Sequence, residues 1–230
     1  MSHPIVPILG AGESGTGAAL LAVRHGLQPW VTDAGAVKAD RAAELEGAGV
    51  EWEANGHDEA RVLAAAEAGG VVVKSPGIPE TAPLVERVKA AGGELISEIE
   101  FASRFARTDG QRVIAVTGSN GKTTTTALIA ALFEDAGCDV ACVGNIGKSW
   151  ARDLSERERP ADYQVVEVSS FQLDGTTTFR PDIAVLLNIT PDHLDRYGYD
   201  IERYADAKWN ITAHQCAPDI LVLNADDALS

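Results

Sequence analysis

The chain has 230 residues, enough for one large or two modest cores, and 45% of them are hydrophobic. A formal charge of −15, from 34 acidic and 19 basic residues, argues against nucleic acid and anionic membrane as partners, because phosphate surfaces select clustered Lys and Arg. Three cysteines, Cys138, Cys142 and Cys216, give no disulfide framework and read as small core residues in a reducing compartment; no apolar run reaches the ~18 residues of a membrane span, so a cytoplasmic chain is expected.

From the N-terminus, residues 5–9 read as a strand, Gly10-Ala-Gly12-Glu-Ser-Gly15-Thr-Gly17 as a turn, and 18–25 as a helix. Strands at 29–32, 50–52, 71–73 and 94–96 then alternate with helices at 38–48, 59–67 and 83–91. This rhythm predicts a mostly parallel sheet with helices on both faces. Gly10-x-Gly12-x-x-Gly15 with Asp33 after the second strand fits a diphosphate beside a sugar: the glycines admit a pyrophosphate and the acid reaches a ribose hydroxyl. NAD and a UDP-sugar both satisfy it. Ser75-Pro76-Gly77 closes another strand, either as a rigid turn or as part of a ligand edge.

Residues 101–110 read as a hinge. Beyond it, the apolar run from Val113 leads into Gly118-Ser-Asn-Gly-Lys-Thr123, and residues 124–134 read as a helix with Leu128, Ile129, Leu132 and Phe133 on one face. Backbone N–H groups at such a turn surround a phosphate, and the helix dipole adds to their pull. Lys122 would reach the outer phosphates and Thr123 would meet Mg²⁺. The loop is the shorter Gly-x-x-Gly-Lys-Thr form, since Val116 stands where the longer P-loop pattern has its first glycine. Strands follow at 139–143, 163–168, 183–187 and 218–224, with a helix at 201–213. Glu167 interrupts an apolar strand at its carboxyl end, as a metal-meeting acid or a paired structural one. His193 lies just past a strand, and nothing in the local pattern singles out Lys208.

Together, Gly118-Ser-Asn-Gly-Lys-Thr-Thr124, Gly144-Asn-Ile-Gly147, Glu167-Val-Ser-Ser-Phe-Gln-Leu173 and Asn188-Ile-Thr-Pro-Asp-His-Leu-Asp-Arg196, with Lys208 beyond, resemble the Mur ligase family. The likeness runs from the first strand to the last residue, and Glu-Val-Ser-Ser-Phe-Gln-Leu is typical of the branch that adds D-glutamate. It implies an α/β fold: a Rossmann-like UDP-substrate domain over residues 1–103, then a P-loop ATPase-like central domain over 111–230, incomplete at its C-terminus, with the third, amino-acid-binding domain absent. Missing strands would leave a sheet edge exposed. The implied activity is ATP-dependent ligation of D-glutamate to UDP-N-acetylmuramoyl-L-alanine through an acyl phosphate, in peptidoglycan precursor synthesis, by a protein that is monomeric when full length.

The resemblance also implies roles. Gly118, Ser119, Asn120, Gly121, Lys122, Thr123 and Thr124 would surround ATP. Thr123 and Glu167 would hold one Mg²⁺; His193, with Lys208 carrying a carbamate, would serve a second. Gly12, Glu13, Ser14, Gly15, Asp33, Ser75, Pro76 and Gly77 would line the UDP pocket, and Asn145 would touch substrate near the transferred group. The alternatives are a UDP-sugar-binding module without turnover and an NAD-dependent oxidoreductase.

Overall fold

In the computed structural model, which describes residues 5–230, ten strands form two five-stranded sheets in which every pairing is parallel. The first unit runs β1 (Ile5–Leu9), α1 (Glu13–Arg24), β2 (Gln28–Thr32), α2 (Ala39–Gly47), β3 (Glu51–Glu53), α3 (Glu59–Glu67), β4 (Val71–Lys74), α4 (Pro83–Ala90) and β5 (Glu94–Ser97). Its strand order is β3-β2-β1-β4-β5. The second unit follows α5 (Glu98–Ser103) with β6 (Arg112–Thr117), α6 (Lys122–Asp135), β7 (Val140–Gly144), α7 (Trp150–Glu156), β8 (Tyr163–Glu167), α8 (Ser170–Leu173), β9 (Ile183–Leu186), α9 (Ile201–Trp209) and β10 (Ile220–Leu223). Its order is β10-β9-β6-β8-β7. Central strands are covered on both faces and are apolar throughout: Val113, Ile114, Ala115 and Val116 are all buried. In each sheet the chain leaves the first strand in opposite directions, so a crevice opens at the carboxyl ends of β1/β4 and of β6/β8, where open α/β sheets receive ligands.

Four local expectations need correction. The first helix starts at Glu13, not at residue 18, because the glycines are part of it. A Cβ at Gly15 would meet the Gly10 carbonyl oxygen at 1.8 Å, and one at Gly17 the Ser149 hydroxyl at 2.3 Å. These glycines serve close backbone approach, the first to the β1 turn and the second to α7. The hinge is partly helix: α5 buries Phe101 and Ala102, and Ala106 beyond it is buried too. Leu128 and Leu132 point outward at 58% and 62% exposure, while Ile129 and Phe133 pack on the sheet, so the apolar face of α6 is narrower than its sequence suggests. Cys142 and Cys216 are exposed and so are not core residues, whereas Cys138 is half-buried against the apolar cluster of the second sheet.

The two units share one apolar core that passes from β1 and α1 through Ile99, Phe101, Trp150 and Phe179 into the second sheet. Polar contacts along this seam are equally specific. Arg152 of α7 donates from Nε to Glu13 at 2.7 Å and pairs with both oxygens of Glu44. Arg24 donates to the carbonyls of Ser155 and Glu158 at 3.0 and 2.8 Å. From α5, two fully buried glutamates grip the second unit: Glu98 accepts the Ala151 N–H at 2.6 Å, and Glu100 accepts the backbone N–H groups of Thr177, Thr178 and Phe179, each at 2.9 Å. The Arg152 pairs and the Glu100 bonds are charge-assisted and shielded from water, and so are strong and geometrically strict.

Candidate functional site

At the carboxyl ends of β1 and β4, Gly10, Asp33, His57, Gly77, Ile78 and Pro79 help line a cavity of about 430 Å³. Asp33 organises it: one oxygen accepts the Ala11 N–H at 2.7 Å and the other the Gly35 N–H at 2.8 Å. The glycine turn is therefore stapled to the end of β2 by a carboxylate that is itself on the cavity wall. Ser75 and Pro76 are half-buried at the end of β4, and the Ser75 hydroxyl lies 3.5 Å from the Gly10 carbonyl. Gly12 is exposed at the N-cap of α1, Ser14 sits half-buried in its first turn, and Gly15 packs under Gly10. Glu13 is turned elsewhere. Its carboxylate serves Arg41, Arg152 and the Ser149 N–H at 2.7, 2.7 and 3.1 Å, and these partners outweigh burial to hold it below the usual glutamate range.

The second crevice is a cleft of about 310 Å³ lined by residues 119–124, Asn145, Ile146 and Glu167. Buried β6 delivers Gly118, and Gly121 caps α6 with a left-handed φ of 82°. The loop between them is pinned from the neighbouring 188–190 segment. The Ser119 hydroxyl donates to Thr190 O and accepts from Thr190 N, both at 2.9 Å. Asn188 accepts the Asn120 N–H at 2.9 Å and donates back to its carbonyl at 3.1 Å. Thr123 and Thr124 are exposed at the mouth. The β7–β8 register sets Gly144 opposite Glu167, and Asn145 then donates its amide to the buried Glu167 carboxylate at 3.0 Å.

Two cations converge beneath this cleft. Lys122 Nζ donates to the carbonyls of Gly118 and Ser119 at 2.8 and 2.9 Å, and Lys208 Nζ, from α9, donates to the same Gly118 carbonyl at 2.9 Å. Lys208 is 1% exposed and lies 4.5 Å over the Tyr204 ring. Burial first, and the charge of Lys122 second, push its pKa down to about 7. Neither Lys122 nor Lys208 forms an ion pair among the described residues, and both donate to the Gly118 carbonyl. His193 lies apart. It adopts a left-handed φ of 49°, its ring centroid is 5.5 Å from that of Phe171, and it is not among the residues lining the Glu167 cleft. Among the described residues no group of three or more His, Cys, Asp or Glu gathers for a metal. The cleft does offer a buried carboxylate, Glu167, and a hydroxyl, Thr123, in one wall. That sparse oxygen set suits Mg²⁺, which keeps water and takes phosphate oxygens alongside one or two protein ligands.

Residues 116–230 match the Mur ligase middle domain. Over 97% of its length the chain is 50% identical to the UDP-N-acetylmuramoylalanine–D-glutamate ligase of Bacteroides fragilis and 47% identical to that of Chlorobaculum parvum. The chain belongs to the Mur ligase family. It spans about half the length of these relatives, 48% and 47% respectively. Among solved structures, the UDP-N-acetylmuramate:L-alanyl-gamma-D-glutamyl-meso-diaminopimelate ligase of Neisseria meningitides superposes with a TM-score of 0.65 at 21% identity, covering 99% of this chain and 73% of that one. The UDP-N-acetylmuramate-alanine ligase of Thermotoga maritima gives 0.58 at 21% identity, covering 99% and 50%. Both agree with this Mur ligase chain in fold, a pair of α/β units with parallel sheets.

Several residues that shape the sites of this Mur ligase chain are given no role by the sequence, although all but Tyr204 lie within its family-like motifs. Asn188, Thr190 and Tyr204 hold the 118–121 loop from outside, Tyr204 through its hydroxyl 3.1 Å from that of Ser119. Arg196, stacked on Phe171, joins the two units through the carbonyls of Pro76 and Ile78. Only the apolar strand before Asn188 hints that such a loop lies at a carboxyl edge; the partners become visible once sheet order is known.

Proposed function

We propose that this chain forms the UDP-substrate-binding and ATP-binding part of a cytoplasmic ligase that joins D-glutamate to UDP-N-acetylmuramoyl-L-alanine in peptidoglycan precursor synthesis. The observation that carries this reading is the cleft that Lys122, Thr123, Thr124, Asn145 and Glu167 line together, with Lys208 converging on the Gly118 carbonyl that Lys122 also holds. In this reading residues 1–103 are the UDP-substrate domain and 111–230 the ATP domain. The γ-phosphoryl group of ATP moves to the carboxylate of the alanyl group, leaving ADP and an acyl phosphate. The amine of D-glutamate attacks the acyl carbon, phosphate leaves, and an amide forms. Residues 118–124 cradle the phosphates with backbone N–H groups, and Lys122 neutralises charge that develops during transfer. Asn145 orients Glu167 and faces the transferred group. Mg²⁺ would be held by Thr123 and Glu167, and a second ion by His193 with Lys208 as its carbamate; the metal supplies charge neutralisation at the phosphates. Gly12, Gly15, Asp33, Ser75, Pro76 and Gly77 receive the uridine diphosphate.

The fit of the first cavity to a diphosphate beside a sugar is shared with NAD, but relatives 50% identical are named as amino-acid ligases, which favours the UDP ligand. Calorimetry tests the binding half: this chain should bind UDP-N-acetylmuramoyl-L-alanine and not NADH. The activity is tested on the full-length protein, expected to be a monomer. Phosphate release should require ATP, Mg²⁺, the UDP substrate and D-glutamate together. Equal rates with L-lysine or meso-diaminopimelate would place the protein in another branch.

A further inference from the structure

Arg196 sits on the second unit, three residues beyond His193, yet its side-chain hydrogen bonds go to the first. Its Nη2 donates to the carbonyls of Pro76 and Ile78 at 3.3 and 3.4 Å. The guanidinium lies 4.4 Å over the Phe171 ring. Phe171 also carries the His193 ring at 5.5 Å and stacks on Tyr197 at 6.0 Å, and the Tyr197 hydroxyl donates to Asp174 at 2.9 Å. The turn that Arg196 holds is fixed from its own side by the Ser75 N–H to the Leu9 carbonyl and by Lys74 Nζ to the Ile78 carbonyl, both at 2.9 Å. Gly77 and Ile78 of that turn line the first cavity. A single side chain therefore connects the wall of one candidate site with the loop that bears His193 and, through Asn188 and Thr190, braces the phosphate loop of the other.

We propose that Arg196 is a positioning residue that couples the turn at 75–79 to the loop at 188–199, so that occupation of one cavity sets the geometry of the other. This rests on reading the two cavities as the UDP-substrate and ATP sites. The side chain required is arginine: a planar guanidinium lies over the Phe171 ring while its Nη2 alone donates to two carbonyls, and a lysine ammonium has no plane to stack while it donates. Coupling of this kind is reciprocal, so either ligand tightens the other by the same factor.

The test is titration calorimetry of this chain with UDP-N-acetylmuramoyl-L-alanine, alone and with Mg²⁺ and a non-hydrolysable ATP analogue. In the unsubstituted protein the analogue is expected to tighten the UDP ligand about fivefold or more. In Arg196→Ala that factor should fall to about 1.5-fold or less, with each ligand still binding by itself. Arg196→Lys should behave like the alanine variant, and Phe171→Leu, which leaves the arginine in place but removes its stacking face, should give the same loss. The two milder variants carry the test if the alanine variant fails to fold. Coupling unchanged in Arg196→Ala, full recovery in Arg196→Lys, or no coupling in the unsubstituted protein overturns the proposal alone. Failure of the unsubstituted protein to bind either ligand instead overturns the reading of the two cavities, and the proposal falls with it.

Discussion

Glu98→Gln is expected to stabilise the chain at pH 8, although it removes a charge from the seam between the units. Glu98 is 1% exposed, and burial pushes its pKa from 4.5 up to about 7, with the nearby Glu13 carboxylate adding to the effect against the Ala151 and Trp150 N–H groups. Its folded pKa therefore lies above its unfolded one, so the folded state retains the proton between these values. The contribution of Glu98 to stability is most favourable below pH 4.5 and is lost as pH rises through 7. At ~1.4 kcal/mol per pKa unit, the ionised carboxylate costs at most about 3 kcal/mol at pH 8 and about 1 kcal/mol at pH 5.5. Glutamine removes that penalty, keeps an oxygen for the Ala151 N–H, and places an amide where Oε2 has no hydrogen-bond partner. Urea unfolding at pH 5.5 and 8 measures the difference. A Glu98→Gln variant less stable than the parent at pH 8, or one with the parent's pH slope intact, would refute the assignment of a protonated carboxyl to this position.

Glu100→Gln should act in the opposite sense. Burial opposes its ionisation, but Thr178, the backbone N–H groups and Arg104 prevail and lower its pKa, so its stabilisation is present above pH 4.5 and fades in acid. Losing a carboxylate that accepts three backbone N–H bonds should cost about 3 kcal/mol at pH 8 by urea unfolding. Lys122→Ala should abolish phosphoryl transfer in the full-length protein, seen as lost phosphate release, while the UDP substrate binds within about twofold of normal because that cavity is in the other unit. Lys208→Ala should likewise lose activity, with partial recovery in acetate or formate; intact mass taken without acid should show a carbamate on the parent protein.

What the sequence reveals follows from how local each cause is. The β6 strand and its Gly-x-x-Gly-Lys-Thr turn are legible because a continuous apolar run ending in a glycine turn is a short-range pattern, and Glu167 stands out as a charge among buried residues. The start of α1 is obscured because glycine disfavours a helix locally, whereas Gly15 and Gly17 are there to let backbones approach. Residues 101–110 are read as a hinge because their mixed charges look solvated, and nothing local shows that Glu98 and Glu100 just before them accept N–H groups some fifty and eighty residues away, which makes the start of this stretch part of α5. Leu128 and Leu132 mislead in the other direction, being apolar residues left on the outer face of α6. The contacts of Lys208 and Arg196 are invisible for the same reason as the seam: family likeness marks these residues, but a lysine or arginine near a helix or turn has no local partner until the fold sets Gly118 or Pro76 in front of it.

The carboxylate of Asp33 bears on kinetics as well as on shape. By fastening the Ala11 and Gly35 N–H groups it holds the glycine turn in one conformation before any ligand arrives. Little loop entropy then remains to be surrendered at the encounter, so association should proceed at the rate of ordinary diffusive docking. Substitutions around this turn would accordingly register as changes in residence time, with arrival rates left nearly alone. Asp33 itself is the exception: replacing it by alanine frees the turn, and the ligand would have to wait for the loop to fold.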